Sequence, residues 1–335
     1  MRMRRLRLAV SSLGVSLAVA GCAVPYDDDG ELLAGGRLAS APVKTHSAVP
    51  VVIDSDLAPD DLAAISYLVR HPEVRVVGVT VPTTGMVTCP AGIALLDDLF
   101  TAIEAKPVPV ACGEEPRGAA GVPFPAWWGI GSLTDSGLER GVGDGSTRVS
   151  RRPAGRFLAD AARRHPGLHV VALGPLTEVA ALLRSDPDAY VRLAGVTTMA
   201  GIVEEPAQDS DLGVGEWNAA ADPEAFASVV AGPVPVTVVP HDPVPPGRPA
   251  GMAVPVVGHL GFATDFESPA FWDLATAALF TLPVAARAET GTWRVDVRDD
   301  RGRLTRTGDG TVRVVTALDA ARLDDAYRAV FEARD

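Results

Sequence analysis

Val51-Val52-Ile53-Asp54-Ser55-Asp56-Leu57-Ala58-Pro59-Asp60-Asp61 decides the reading of this chain. A β-branched apolar run ends in Asp-x-Asp, and a short Pro-containing turn follows. An Asp-Asp pair then opens the apolar-periodic segment Leu62, Ala63, Ile65, Leu68, Val69. That pattern is a buried strand feeding a helix, with four carboxylates gathered at the strand's C-terminal end. Ligands of open α/β sheets bind in such crevices. Four acids at one strand tip repel one another unless a cation or protonation relieves them. A hard divalent ion with oxygen ligands answers that need. Each aspartate taken singly has an ordinary use, as a first-turn acid or a helix cap. The four together point to a site.

Outward from this stretch the pattern alternates. Strands are expected at 49–55, 75–81, 108–112, 168–173, 192–199 and 234–240, with helices at 60–70, 90–105, 151–165, 175–185 and 222–231. Short, nearly continuous apolar strands between helices predict an α/β fold, with a mostly parallel central sheet covered by helices on both faces. After Pro240 come a helix at about 269–281, a small hairpin and a terminal helix at 319–333. The hairpin pairs Trp293–Val297 with Val312–Val315 around Gly308-Asp309-Gly310. The stretches 113–150 and 201–217 read as long loops, of the kind that carry function.

The beginning of the chain has its own grammar. Arg2, Arg4, Arg5 and Arg7 precede an apolar segment that reaches Val19-Ala20-Gly21-Cys22. This is a secretory signal, too short for an ordinary membrane span. Its ending resembles a bacterial lipobox, which implies cleavage before Cys22 and a lipid anchor on that cysteine. The expected organisation is therefore a lipoprotein signal at 1–21, a flexible tether at 22–48 and a catalytic domain at 49–335, outside the cytoplasm and held to the cell membrane. Without those four arginines, the remaining basic residues face 42 acidic ones, and the net charge moves from −12 to near −16. Such a surface excludes nucleic-acid binding and a polybasic membrane patch. Cys89 and Cys112 could pair outside the cytoplasm or stand as buried thiols, and the sequence leaves this open. It also leaves open whether the chain forms a homo-oligomer.

Further motifs follow in order. Leu173 precedes Gly174-Pro175-Leu176-Thr177; Glu216-Trp217-Asn218 precedes Asp222-Pro223-Glu224-Ala225; Ser268-Pro269-Ala270-Phe271-Trp272-Asp273 opens a late helix. Together with Asp-x-Asp-x-x-x-Asp-Asp, this ordered set resembles the nucleoside hydrolase family, the inosine/uridine-type N-ribohydrolases, over about 49–333. The resemblance implies a Rossmann-like nucleoside hydrolase fold and a calcium ion at the strand tips. It implies metal ligation by Asp56, Asp61, the Leu173 carbonyl and Asp273, with Asp56 also the general base. Asp60 would hold a ribose hydroxyl, and Glu216 and Asn218 the remaining hydroxyls of a nucleoside substrate. An ion that orients and acidifies water, among carboxylates that favour an oxocarbenium-like state, makes chemical sense of the set.

His241-Asp242-Pro243 spells the family's late metal motif, but its context is a strand end, so Asp273 is preferred over Asp242. Trp272 then stands where the family usually has a leaving-group histidine. That resembles the purine-preferring branch, in which a tryptophan stacks on the departing base. Trp127 or Trp128 would supply the other wall of the base pocket, although simple loop packing accounts for the pair slightly better.

Three departures bear on substrate and rate. Thr83-Thr84-Gly85 stands where the family has Gly-Asn, Gln208-Asp209-Ser210-Asp211 replaces another Asn, and Glu178 follows Gly-Pro-Leu-Thr where Asn is common. They motivate a second reading, a nucleoside- or ribose-binding lipoprotein of weak turnover. A third reading, an aspartyl-phosphate phosphatase, needs a lysine near the phosphate. Lys44 lies in the tether and Lys106 precedes the third strand, so that reading is set aside.

Overall fold

The computed structural model describes residues 44, 47–134, 138, 140–250 and 270–331. The chain divides into two units, Met1–Gly36 and Arg37–Asp335, and all described residues fall in the second. The expected signal, the lipidation residue Cys22 and nearly all of the tether lie outside the described residues.

Eight strands form one sheet in the order β3-β2-β1-β4-β5-β6-β8-β7. They are β1 (Val49–Asp54), β2 (Val74–Val81), β3 (Val110–Cys112), β4 (His169–Ala172), β5 (Gly195–Met199), β6 (Val236–Val239), β7 (Ala286–Val295) and β8 (Leu304–Leu318). Neighbours from β3 through β6 to β8 pair in parallel, and β7 closes the edge antiparallel to β8. The expected mostly parallel α/β sheet is what the chain forms. β1 sits at its centre because both of its faces are apolar. Val51 and Ile53 join one core with α1 (Pro59–Arg70), α2 (Cys89–Ala102), α9 (Trp272–Thr281) and α10 (Ala320–Phe331). Val52 points the other way, into the core beneath α4 (Ala154–Arg164), α5 (Thr177–Ser185) and α8 (Pro223–Val230). The period of two along one strand thus divides the protein into two layers.

Two expectations change. The hairpin is larger than the sequence suggested, and its turn is not at Gly308-Asp309-Gly310. Those residues lie inside β8, opposite an irregular register at Gly291–Trp293, where a side chain on Gly310 would strike the Thr292 backbone. The turn falls instead at 296–303, closed by the Asp296 carboxylate accepting the amides of Arg298 and Asp299 at 2.8 and 3.0 Å. The long loop 113–150 also contains a helix, α3 (Ala126–Thr134). Its Gly129 lies so close to Met86 that a β-carbon would come within 2.4 Å of the Met86 carbonyl oxygen. Cys89, at the head of α2, and Cys112, at the end of β3, form a disulfide with Cα atoms 5.6 Å apart.

Candidate active site

The strand tips converge at the C-terminal edge of β1. The Asp54 carbonyl accepts the Leu173 amide at 2.7 Å, which docks the β4 turn beside β1. Asp54 Oδ1 accepts the Thr80 hydroxyl at 2.5 Å. Burial raises Asp54 to about 7, against the pull of that bond, so it supports the site from behind. Asp56 follows, with Gly85 on one side and Gly174 on the other. A β-carbon at Gly85 would sit 2.3 Å from Asp56 Cβ, and one at Gly174 2.9 Å. Only glycines let both turns close on this aspartate. Its Oδ2 accepts the Met86 amide at 3.2 Å. Burial, then the charge of Asp61, pushes its carboxyl well above the usual range.

Leu57, between the two pairs of acids, takes a left-handed backbone with φ of 65° and is fully buried. A non-glycine residue held there stores strain, a mark of functional turns. The turn brings Asp61 back toward Ser55, whose hydroxyl donates to Asp61 Oδ1, while the Ala58 amide donates to Oδ2 at 3.1 Å. Asp60 reaches across to the head of α9, where its Oδ2 accepts the Asp273 amide at 3.1 Å. An acid there complements the helix dipole.

Asp60, Asp61 and Asp273 each offer a carboxylate oxygen within 4.8 Å of the others. Burial raises Asp60 to about 6 and Asp61 to about 7, and burial, then the charges of Asp61 and Asp60, lifts Asp273 well above the usual range. Asp273 Oδ1 is buried without a hydrogen-bond partner. Three converging carboxylates, two of them buried and one of these with an orphaned oxygen, are the donor set a hard cation satisfies. The sequence reading gave Asp60 to the sugar and Asp56 to the metal. In the structure Asp60 stands in the three-carboxylate cluster because α9 draws it there, and Asp56 lies beside the cluster, within its field.

The sugar-side candidates are equally ordered. Glu216 caps α7 (Trp217–Ala221), with Oε1 accepting the Asn218 amide at 2.8 Å and Oε2 the Gly201 and Ala219 amides at 2.8 and 2.9 Å. Asn218 Nδ2 donates to the Leu173 carbonyl at 2.7 Å. A carbonyl has two lone pairs, so that contact leaves the Leu173 oxygen able to ligate. Asp242 is used elsewhere, accepting the amides of Val203, Glu204 and Glu205 at 2.7, 2.6 and 2.8 Å.

The base-side candidates separate. Trp128 packs against Trp217 and Phe124, ring centroids 5.1 and 6.1 Å away, while Trp127 is 69% exposed. Against Trp272 lies His241, a residue that the sequence reading passed over with Asp242. Its position just beyond β6, at the ligand-binding edge of the sheet, was the available signal. At the family's missing asparagine, Thr84 bonds to Thr177 at 2.7 Å, and Thr177 donates to Asp222 Oδ2 at 2.8 Å. Glu178 is buried and raised to about 8, by burial and then by the charge of Asp54.

A doubly covered, mostly parallel sheet with an acid cluster at the switch between β1 and β4 defines an α/β protein whose strand tips carry a group of carboxylates that could hold a cation. Residues 51–325 match the inosine-uridine preferring nucleoside hydrolase family, and the chain belongs to that family. The pyrimidine-specific ribonucleoside hydrolase RihA of Salmonella schwarzengrund is 25% identical over 209 residues, 57% of this chain and 60% of that protein. The chain thus spans about three fifths of the length of the curated relatives it matches. The inosine-uridine preferring nucleoside hydrolase from Bacillus anthracis superposes with a TM-score of 0.68 at 21% identity, covering 84% of this chain and 98% of that one. The purine-preferring ribonucleoside hydrolase from Gardnerella vaginalis gives 0.68 at 19%, with 83% and 96% covered. At these identities the two structures speak for the fold.

Proposed function

We propose that this chain is a calcium-dependent N-ribohydrolase, which cleaves the N-glycosidic bond of a ribonucleoside to give ribose and a free base. The observation that carries the reading is the converging set Asp60, Asp61 and Asp273, the last two buried, beside Asp56, with the Glu216-held Asn218 bonded to the Leu173 carbonyl. Asp61 and Asp273, joined by Asp60, Asp56 and the Leu173 carbonyl, would hold the ion. When bound, calcium supplies positive charge and Lewis acidity toward the sugar diol and the attacking water. Asp56, fixed by the Met86 amide, is oriented to take the water's proton. Glu216 and Asn218 grip the remaining hydroxyls and set the anomeric carbon in place. Trp272 presents an aromatic surface to the base, which favours a purine.

The amino-terminal sequence and the disulfide support a further part of this reading. A Cys89–Cys112 bond persists in an oxidising compartment, which supports an extracytoplasmic enzyme anchored through Cys22 and acting in nucleoside salvage. Loss of the protein from the membrane fraction in Cys22→Ser cells tests the anchor.

The activity is tested by incubating purified protein with inosine, adenosine, guanosine, uridine and cytidine plus calcium, and measuring free ribose. Ribose release that stops on chelation and returns with calcium is expected. Binding of nucleosides with no ribose released would favour the second reading, a binding lipoprotein. The engagement of Thr84 with Thr177 supports that alternative, because it ties up the side chain at the missing asparagine.

A further inference from the structure

Asp56 is held by a turn that the chain closes covalently. Residues 82–88 leave the end of β2 and return at Cys89, the first residue of α2. Within them, the Met86 amide donates to Asp56 Oδ2 at 3.2 Å and the Val87 amide to the Asp56 carbonyl at 3.1 Å. Both ends of the turn meet at one residue. Cys112, in the edge strand β3, pairs with Val81 at the turn's start, and its sulfur is bonded to Cys89 at the turn's end. The Gly113 amide donates to the Val81 carbonyl at 2.8 Å and completes that base. The head of α2 has no side-chain cap of its own, because the Thr88 hydroxyl at its N-cap accepts no amide. One turn further in, Gly92 faces Leu57, the residue after Asp56, and a β-carbon there would come 2.4 Å from Leu57 Cδ1. The seating of α2 thus reaches Asp56 by two routes, the amides of Met86 and Val87 and the packing of Leu57.

A catalytic group displaced by about 1 Å loses up to about 10²-fold in rate. We infer that the Cys89–Cys112 bridge is a positioning element of the active site, which keeps the 82–88 turn closed on Asp56 and makes the oxidised chain the active form. This rests on the N-ribohydrolase reading above, in which Asp56 takes the water's proton. The bridge touches no reacting atom and acts through the Met86 and Val87 amides. With the bridge open, Cys112 stays paired to β2, while Cys89 and the head of α2 are released from β3. The turn then moves at one end, and amides that move with it orient Asp56 poorly. The groups given to the sugar stand elsewhere, Asp60 at the head of α1 and Glu216 and Asn218 at the head of α7, so their grip is kept. The bridge therefore acts on turnover rather than on substrate affinity. Cys112 is half-buried, so a small dithiol reaches its sulfur. Two electrons and two protons pass to the bridge, giving two thiols, and the dithiol becomes a disulfide.

The experiment uses the full chain saturated with calcium, well below the unfolding temperature of the oxidised form. It compares oxidised protein, protein reduced with dithiothreitol, and the double variant Cys89→Ser with Cys112→Ser. Two readouts are taken: amide hydrogen exchange across 82–88, and kcat and KM on the best of the five nucleosides. Reduction should speed exchange at Met86 and Val87 at least about tenfold and leave β1 and β4 protected. In parallel, kcat should fall about 10–10²-fold while KM stays within about threefold, and reoxidation should restore kcat. The double variant should match the reduced wild type and ignore dithiothreitol. Unchanged exchange at Met86 and Val87, an unchanged kcat, or protection lost equally across the sheet overturns the proposal and leaves the bridge a stability element. Should the double variant fail to fold by circular dichroism, the reduced wild type decides alone, and its unfolding overturns the proposal too. An oxidised protein that cleaves none of the five nucleosides sinks the underlying reading instead, and the exchange readout still decides whether the bridge holds the turn on Asp56.

Discussion

Asp61→Asn offers the most direct test of the buried acid cluster. Asp61 is fully buried, and its folded-state value near 7 lies about three units above the ordinary 3.8. The folded protein therefore holds a proton there that the unfolded chain has released. Stability from this group is complete below pH 3.8 and is lost as pH rises through 7. At about 1.36 kcal/mol per unit, the loss is about 4 kcal/mol for Asp61 alone. For a domain of this size that lowers Tm by roughly 8 °C. Calcium reverses the effect, because it binds the ionised carboxylates, and a concentration 100 times its Kd adds about 2.7 kcal/mol. The assay is thermal unfolding of chelator-treated protein at pH 4.5, 6 and 8, with and without calcium. In the wild type, Tm without metal should fall toward pH 8, and calcium should raise it more at pH 8 than at pH 4.5. In Asp61→Asn the fall should shrink by roughly the 8 °C that this group carries, and the calcium shift should vanish. A metal-free Tm that is flat from pH 4.5 to 8, or a calcium shift equal at all three, refutes the electrostatic account of the cluster.

Asp242→Ala removes the acceptor for three backbone amides and should cost about 1–3 kcal/mol by chemical denaturation. Calcium affinity, measured by calorimetry, should nevertheless stay within threefold, whereas Asp273→Ala should abolish it. Replacing Cys89 and Cys112 together by serine opens a loop that the disulfide closes across 23 residues of sequence, and should lower stability by about 3 kcal/mol in denaturant titration. Asn218→Ala frees the Leu173 carbonyl and, on the proposed reading, removes a sugar contact, so kcat/KM for the best nucleoside should fall at least about tenfold, a loss of about 1.4 kcal/mol of transition-state stabilisation.

The sheet was legible because its signals are local. β1, β2 and β4 are short apolar runs whose partners need no long-range knowledge, and Gly174-Pro175 marks the β4 turn on its own. The acid cluster was legible in part for the same reason, since Asp54 to Asp61 lie within one strand, one turn and one helix start. What the sequence could not supply was orientation. Asp60 and Asp61 are adjacent, yet one reaches to the α9 amide and the other back to Ser55. Trp127 and Trp128 are also adjacent, and helix geometry turns one to solvent and the other onto Trp217. His241 and Trp272 meet only because β6 ends beside the head of α9, a juxtaposition that no window of sequence contains. The hairpin was misread because Gly-Asp-Gly signals a tight turn, while a carboxylate at Asp296 can close a wider one.

The acids of the cluster are far apart along the chain: Asp60 meets the amide of a residue 213 positions later. A ribosome or a translocation pore delivers the first carboxylates long before the last. A growing chain therefore exposes Asp60 and Asp61 without the third member, and has no complete cage to offer an ion until α9 has emerged and docked. On the proposed reading, a cation held there cannot serve as an early folding template. Its capture reports instead that the C-terminal part has been made and seated, so truncated or stalled chains would remain metal-free and carry an uncompensated acid pair that marks them as unfinished.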